Sequence, residues 1–334
     1  MSASAFLQGH SRLSATAIGF ALACLPLMIS MPWWADPGTI RSAIELSCYV
    51  MLAQMWNLLA GYAGLVSVGQ QAFLGAGAYA MFVLANDFGV NPFLAVPLSL
   101  VAPALLAIPS YLLLRRLDGP YFAIGTWVIA EICRLLVANS EALGSSSGVA
   151  LRSIREFSPM TRQIAGVSLT AGMLALGVGG TYLLLRSRYG LALAAIRDNP
   201  VSAASQGVDV PRVKFLVYLA AAIGSGLAGG VYYLAMLRIS PGATFDINWT
   251  SIAIFAVMIG GIGTIEGPLL GALLYFALDR WFSDYGAVYM VALGVGTLAV
   301  ALYARAGIWG AVHRRFALEL FPIRRALRAS GESS

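Results

Sequence analysis

From Leu46 to Asn86 the chain carries not one Asp, Glu, Lys or Arg. A helix crosses bilayer hydrocarbon in about 20 apolar residues, so this run is far too long for a single crossing and must turn within itself. Gly61-Tyr62-Ala63-Gly64 is the turn signal inside it, since glycine reaches the backbone conformations that end helices. The run reads as two segments joined by a tight cytoplasmic bend.

The remainder has the same character. Only 11% of the 334 residues are charged and 59% are hydrophobic, whereas soluble domains carry about 25% charge. The 21 Lys and Arg exceed the 15 Asp and Glu, and the surplus falls between apolar runs, as membrane topology requires, and not in a nucleic-acid-binding patch. Cys24, Cys48 and Cys133 sit singly in apolar runs, which gives neither a disulfide framework nor metal-ligand spacing. The fold class is all-α: a polytopic integral membrane protein of about ten transmembrane helices, some short or glycine-broken. The crossings begin near residues 15, 42, 64, 93, 120, 165, 214, 249, 267 and 286, and residues 1–334 form a single transmembrane domain.

Ala15 to Met31 reads as an uncleaved first span, closed by Pro32-Trp33-Trp34, because paired tryptophans suit the membrane interface. Basic residues in short loops stay on the cytoplasmic side. Ten spans with both termini inside leave 14 basic residues inside, among them Arg115, Arg116, Arg186, Arg188 and Arg212, and six outside. This N-in, C-in arrangement makes 139–164 an external loop, 186–213 a cytoplasmic loop and 304–334 a basic cytoplasmic tail. The tail reads as an amphipathic helix along the inner leaflet.

The loop at 186–213 is a polar, basic island. Asn199 can cap a helix, Pro200 suits its first position, and Gly207 can take the left-handed conformation that stops it. A helix of about two turns results, its middle formed by Val201, Ser202, Ala203, Ala204 and Ser205. Those side chains are small enough to enter a partner's groove, and Arg197, Arg212 and Lys214 flank them with positive charge.

Two further regions differ from lipid-facing helices. Gly61 to Tyr79 carries five glycines with the amides Gln70 and Gln71 at membrane depth. Gly260-Gly261-Ile262-Gly263 opens a second region, in which Gly263, Gly267 and Gly271 recur at four-residue spacing. That spacing aligns glycines on one helix face for close packing. Interrupted segments of this kind also mark broken helices that border a cavity, so both readings stand. Glu131 and Arg134 lie one turn apart and pair locally, and an intramembrane charge is a candidate for a substrate path. Glu266 falls at a turn within reach of water.

Enzyme signatures fail. Gly144-Ser145-Ser146-Ser147-Gly148 matches a nucleophile-elbow pattern, but the two histidines, His10 and His313, lie near opposite termini, so the motif lacks its base. No cofactor pattern is present, and the only lysine, Lys214, follows Val213, which rules out a phosphate loop ending in Gly-Lys. If ATP drives this chain, another chain hydrolyses it.

Taken in order, Gly61-Tyr-Ala-Gly-Leu-Val-Ser-Val-Gly-Gln-Gln-Ala-Phe73, Gly119-Pro-Tyr-Phe-Ala-Ile-Gly-Thr126, Ala130-Glu-Ile-Cys-Arg134, Arg186-Ser-Arg-Tyr-Gly190, Ala195-Ile-Arg-Asp-Asn-Pro200, Gly207-Val-Asp-Val210, Gly260-Gly-Ile-Gly-Thr264 with Gly267-Pro268, and Gly307-Ile-Trp-Gly310 resemble the M-type permease of branched-chain amino acid ABC importers. The chain departs from many such permeases at Gln70-Gln71, where they carry Gly-His. The resemblance implies a bacterial inner-membrane subunit that pairs with a second permease as a heterodimer. Two cytoplasmic ATP-binding subunits and an external substrate-binding protein complete the assembly. It also implies that Arg197, Asp198, Asn199, Pro200, Ala203, Ala204 and Gly207 form a coupling segment that docks on an ATPase. The residues of the translocation path are then expected among Gln70, Gln71, Glu131, Arg134, Gly260, Gly261 and Gly263. The same superfamily extends to urea, amides and other small metabolites, and an ion-driven carrier would share the span pattern.

Overall fold

A computed structural model describes residues 6–7, 23–282, 285–303, 306–316 and 327–328. The expected first span is described from residue 23 onward, as α1 (Ala23–Trp33), and its earlier residues lie outside the described set. After it come α2 (Pro37–Asn57), which continues as a π turn over Leu58–Tyr62, then α3 (Gln70–Asn86), α4 (Pro92–Leu98), α5 (Val101–Leu114) and α6 (Pro120–Ala138). Next are α7 (Pro159–Leu174) and α8 (Gly180–Arg186), which join through another π turn, and the short helices α9 (Arg188–Asp198) and α10 (Pro200–Ser205). The remaining described helices are α11 (Val210–Met236), the single turn α12 (Pro241–Thr244), α13 (Asn248–Gly260), α14 (Glu266–Phe282), α15 (Ala287–Tyr303) and α16 (Gly307–Phe316).

The protein is thus all-α and multi-pass. Among the described residues, six stretches are long and apolar enough to cross a membrane: Pro37–Tyr62, Pro92–Leu114, Pro120–Ala138, Pro159–Arg186, Val210–Met236 and Pro241–Gly260. Local signals set their starts. Asp36 caps α2 by accepting the Thr39 hydroxyl at 2.6 Å and the Thr39 N–H at 2.9 Å, and these bonds hold its carboxyl below the usual carboxylate range. Proline occupies the first turn of α2, α4, α6, α7, α10 and α11, where a missing N–H costs nothing.

α11 and α3 form the centre, and glycine lets them touch backbone to backbone. A Cβ on Gly77 would stand 2.3 Å from the Gly226 carbonyl oxygen, and one on Gly229 would stand 2.1 Å from that of Leu74. Lipid tails are as apolar as leucine, so this contact is held by dispersion over closely fitted surfaces, not by a hydrophobic drive. Phe73 meets Tyr218 edge-on at 5.5 Å between them. α13 and α14 form a second glycine-packed pair: a Cβ on Gly271 would fall 1.8 Å from the Ala256 carbonyl oxygen.

Two expectations need correction. The tight bend at Gly61 to Gly64 is longer than a turn: α2 ends in its π turn, Gly64 takes φ +69°, and residues 63–69 are non-helical. Gly263 does not share a helix face with Gly267 and Gly271, because residues 261–265 are a loop in which Gly261 and Gly263 take φ +134° and +76°. At the far end, residues 139–158 form short turns and one antiparallel rung pair, Val149–Ala150 with Arg238–Ile239. Asn86 fastens this region by accepting the Arg152 N–H and donating to the Ala150 carbonyl. The Ser145–Ser147 triplet is a 3-10 turn in this loop.

Candidate functional site

The segment at 197–207 folds as its caps dictate. Asn199 Oδ1 accepts the N–H groups of Val201 and Ser202 at 2.9 and 3.1 Å, and Pro200 opens the helix. Gly207 takes φ +87°, Val208 N–H donates to Ala203 O and Gly207 N–H to Ala204 O, which is a Schellman stop. Asp209 then caps α11 through the Arg212 N–H. The helix α10 stands out from the protein: Asp198, Asn199, Pro200, Ala204 and Gly207 are exposed, and Val201 is 79% exposed. Ala203 is the exception. It is fully buried against its own chain, so it seats α10 and is not free to touch a partner.

Residues 63–69 and the start of α3 lie inside the bundle. The Trp56 indole N–H, near the end of α2, donates to Ser67 O at 2.8 Å, and Val68 N–H donates to the Thr126 hydroxyl of α6 at 2.9 Å. The chain therefore runs back alongside α2 and α6 before α3 begins. At that buried start Gln70 Oε1 accepts the Ser225 hydroxyl at 2.7 Å, while Gln70 Nε2 is buried without a partner. Gln71 Oε1 accepts the Thr250 hydroxyl. The two amides thus tie α3 to α11 and α13. One edge of the non-helical strand stays open: Gly64 and Val66 are exposed while Ala63, Leu65, Ser67 and Gly69 are buried.

The loop at 261–265 is held by residues that the sequence reading passed over. Asn57 on α2 accepts the Gly263 N–H at 2.8 Å and donates to Thr264 O at 2.7 Å, and Gln54 Nε2 donates to Ile265 O at 2.6 Å. Both side chains are fully buried. Polar amides a turn apart inside an uncharged run were the available signal. Glu266, expected at a wet turn, is only 6% exposed. Gly260 and Gly261 abut α16: a Cβ on Gly307 would lie 2.6 Å from Gly261 Cα. With Trp309 buried, α16 docks on the protein instead of lying free along a leaflet, and the tail at 317–326 lies outside the described residues.

Glu131 and Arg134 are elsewhere. Arg134 grips Glu131 through Nε at 2.9 Å and Nη2 at 2.5 Å. The pair sits half-exposed on α6 beside exposed Trp127, Ile132 and Leu135. The structure does not bring it together with Gln70 and Gln71 or with the glycine loop. It does bring together two groups expected apart, since the Arg197 guanidinium lies against Gly263.

Residues 38–304, which contain these features except α16, match the family described as branched-chain amino acid transport system / permease component. The chain belongs to this family. The permease is 26% identical over 304 residues to the high-affinity branched-chain amino acid transport system permease protein LivM of Escherichia coli (strain K12), covering 82% of this chain and 71% of that relative. It is 28% identical over 263 residues to a probable branched-chain amino acid transport permease protein LivH of Methanocaldococcus jannaschii, covering 72% and 82%. It also matches the fructose import permease protein FrcC of Rhizobium meliloti at 30% over 198 residues, covering 56% and 54%.

Proposed function

We propose that this permease is the membrane subunit of an ATP-driven importer that moves branched-chain or related hydrophobic amino acids delivered by an external binding protein. The observation that carries the reading is α10, a short, doubly capped helix of small side chains projecting from a membrane bundle that has no ATP-binding motif of its own. Such a helix fits the groove of a separate cytoplasmic ATPase. The reading takes ten spans with both ends inside a bacterial inner membrane, adding α1, α3, α14 and α15 to the six long stretches. Closure of two ATPases on ATP would pull α10 and rock the spans attached to it.

A second permease subunit is part of the proposal. Non-helical backbone at membrane depth is tolerated only where protein covers it or water reaches it, and the edge at Gly64 and Val66 is open in this chain. A partner permease beside α6, with the path between the two, satisfies that requirement. LivM and LivH carry branched-chain amino acids in their names, which supports that substrate class, and the FrcC match makes fructose the competitor to exclude.

The test is uptake of labelled leucine by cells with and without this chain, with unlabelled isoleucine, valine, phenylalanine, urea and fructose as competitors. Loss of leucine uptake on deletion, competed by isoleucine and valine, is expected. Unchanged leucine uptake together with lost fructose or urea uptake would overturn the substrate while keeping the permease. Uptake that survives ATP depletion but not a proton uncoupler would make the chain an ion-driven carrier.

A further inference from the structure

Arg197, itself exposed, precedes the exposed helix α10 by three residues, yet its guanidinium lies against the Gly263 loop. A Cβ on Gly263 would stand 2.7 Å from Arg197 Nη1. From the opposite side Asn57 Oδ1 holds the Gly263 N–H at 2.8 Å, and a Cβ on Gly61 would lie 2.8 Å from the Gly263 nitrogen. The Tyr62 hydroxyl, at the same end of α2, is within electrostatic reach of both Glu266 and Arg197. Gly307 closes a third side against Gly260 and Gly261. One five-residue loop, 261–265, is therefore gripped by α2, by the end of α9 and by α16.

We infer that Arg197 is a positioning residue, a latch that carries displacement of α10 through the loop at 261–265 into the α13–α14 pair. The inference rests on the reading of α10 as the ATPase-docking helix. Its mechanics follow from packing. Asn199 alone separates α9 from α10, so the two short helices shift together. The guanidinium is a rigid planar group that transmits a push better than a flexible ammonium. The loop it presses is non-helical between two helix ends and is the soft joint. α13 and α14, with Gly260 and Gly271 packed against facing backbone, move as one body. Residues assigned by sequence to docking and to the path thereby form a single mechanical unit.

The complete transporter, reconstituted in proteoliposomes with its own ATP-binding subunits and binding protein, tests this through substrate moved per ATP hydrolysed. R197A lowers that ratio by about tenfold, within the 5–150-fold range of coupling between sites, while the ATPase still co-purifies. R197K recovers part of the ratio, because it keeps the charge and most of the reach. G263A, which shifts the guanidinium and strains a left-handed position, lowers the ratio too, and G263A/R197A loses less than the sum of the two single losses. A normal ratio in R197A, independent additive losses in the double variant, or loss of ATPase co-purification in R197A would each overturn the latch. A wild-type complex that hydrolyses ATP yet moves no substrate would overturn the proposed function, and the latch with it.

Discussion

Asn57→Ala removes two hydrogen bonds at once, those that tie the Gly263 N–H and the Thr264 carbonyl of the loop to α2. Asn57 is fully buried; it accepts the Gly263 N–H and donates to Thr264 O. Alanine also adds no bulk near Gly61, whose Cβ position already lies 2.4 Å from Asn57 Oδ1. Side-chain hydrogen bonds between membrane helices average about 0.6 kcal/mol each, which sets a floor near 1 kcal/mol for the pair. That average reflects groups that find other partners, whereas an unpaired buried backbone group costs about 1–3 kcal/mol. Gly263 and Thr264 are half-buried, so water reaches them in part and the expected loss is about 2–4 kcal/mol. Gln54→Met is the control. It gives up one bond to Ile265 O and also removes Gln54 Oε1, which is buried without a partner, so it costs about 1 kcal/mol or less. Unfolding of the purified protein in mixed micelles by increasing sodium dodecyl sulfate measures both. An Asn57→Ala loss no larger than that of Gln54→Met would refute the reasoning that the loop depends on Asn57.

Two further outcomes are expected. Ala204→Phe, on the exposed side of α10, leaves a folded chain that no longer co-purifies with its ATPase. Ala203→Phe, at a fully buried position, lowers folded yield instead, as overpacking costs about 1–3 kcal/mol. Size-exclusion profiles and pull-downs separate the two. On α6, Glu131→Gln leaves Arg134 unpaired within an apolar face and lowers the yield of inserted protein, since an unpaired charge at the membrane centre costs about 2.5–3.5 kcal/mol. Glu131→Gln/Arg134→Met restores the yield of inserted protein measured by in-gel fluorescence, and a double variant as poor as the single would contradict a purely local pair.

The sequence was most legible where a single residue decides local structure. Asn199, Pro200 and Gly207 each act on the nearest backbone, and the helix between them forms as their chemistry requires. The multi-pass helical class followed from the charge-free runs for the same reason, because the bilayer admits few alternatives. Periodicity failed at Gly263. Four-residue spacing to Gly267 and Gly271 suggested one helix face, but Asn57 captures the peptide there and holds it in a loop. A capturing side chain supplied from α2, so distant along the chain, leaves no mark on the local pattern. Ala203 and Glu266 misled for a related reason. A small residue in an amphipathic loop and a carboxylate near a turn look solvated, and only tertiary packing buries them.

The two non-helical segments share one physical cause. Each lies beside α2: Trp56 holds residues 63–69 through Ser67 O, and Gln54 and Asn57 hold residues 261–265. Backbone that leaves a helix inside a membrane must find donors and acceptors elsewhere, and α2 supplies them from adjacent turns. This explains why α2, which carries no charge after Glu45, has an amide at Gln54, an indole at Trp56 and an amide at Asn57, polar groups that a span facing only lipid would not need. It also explains why the loops can be close to motion without unfolding, since much of their bonding runs to a rigid, buried helix. Displacing the 261–265 loop therefore requires a contact that α2 does not control. Among the described contacts, Arg197 at the end of α9 is one such contact, and it stands immediately before the exposed helix α10.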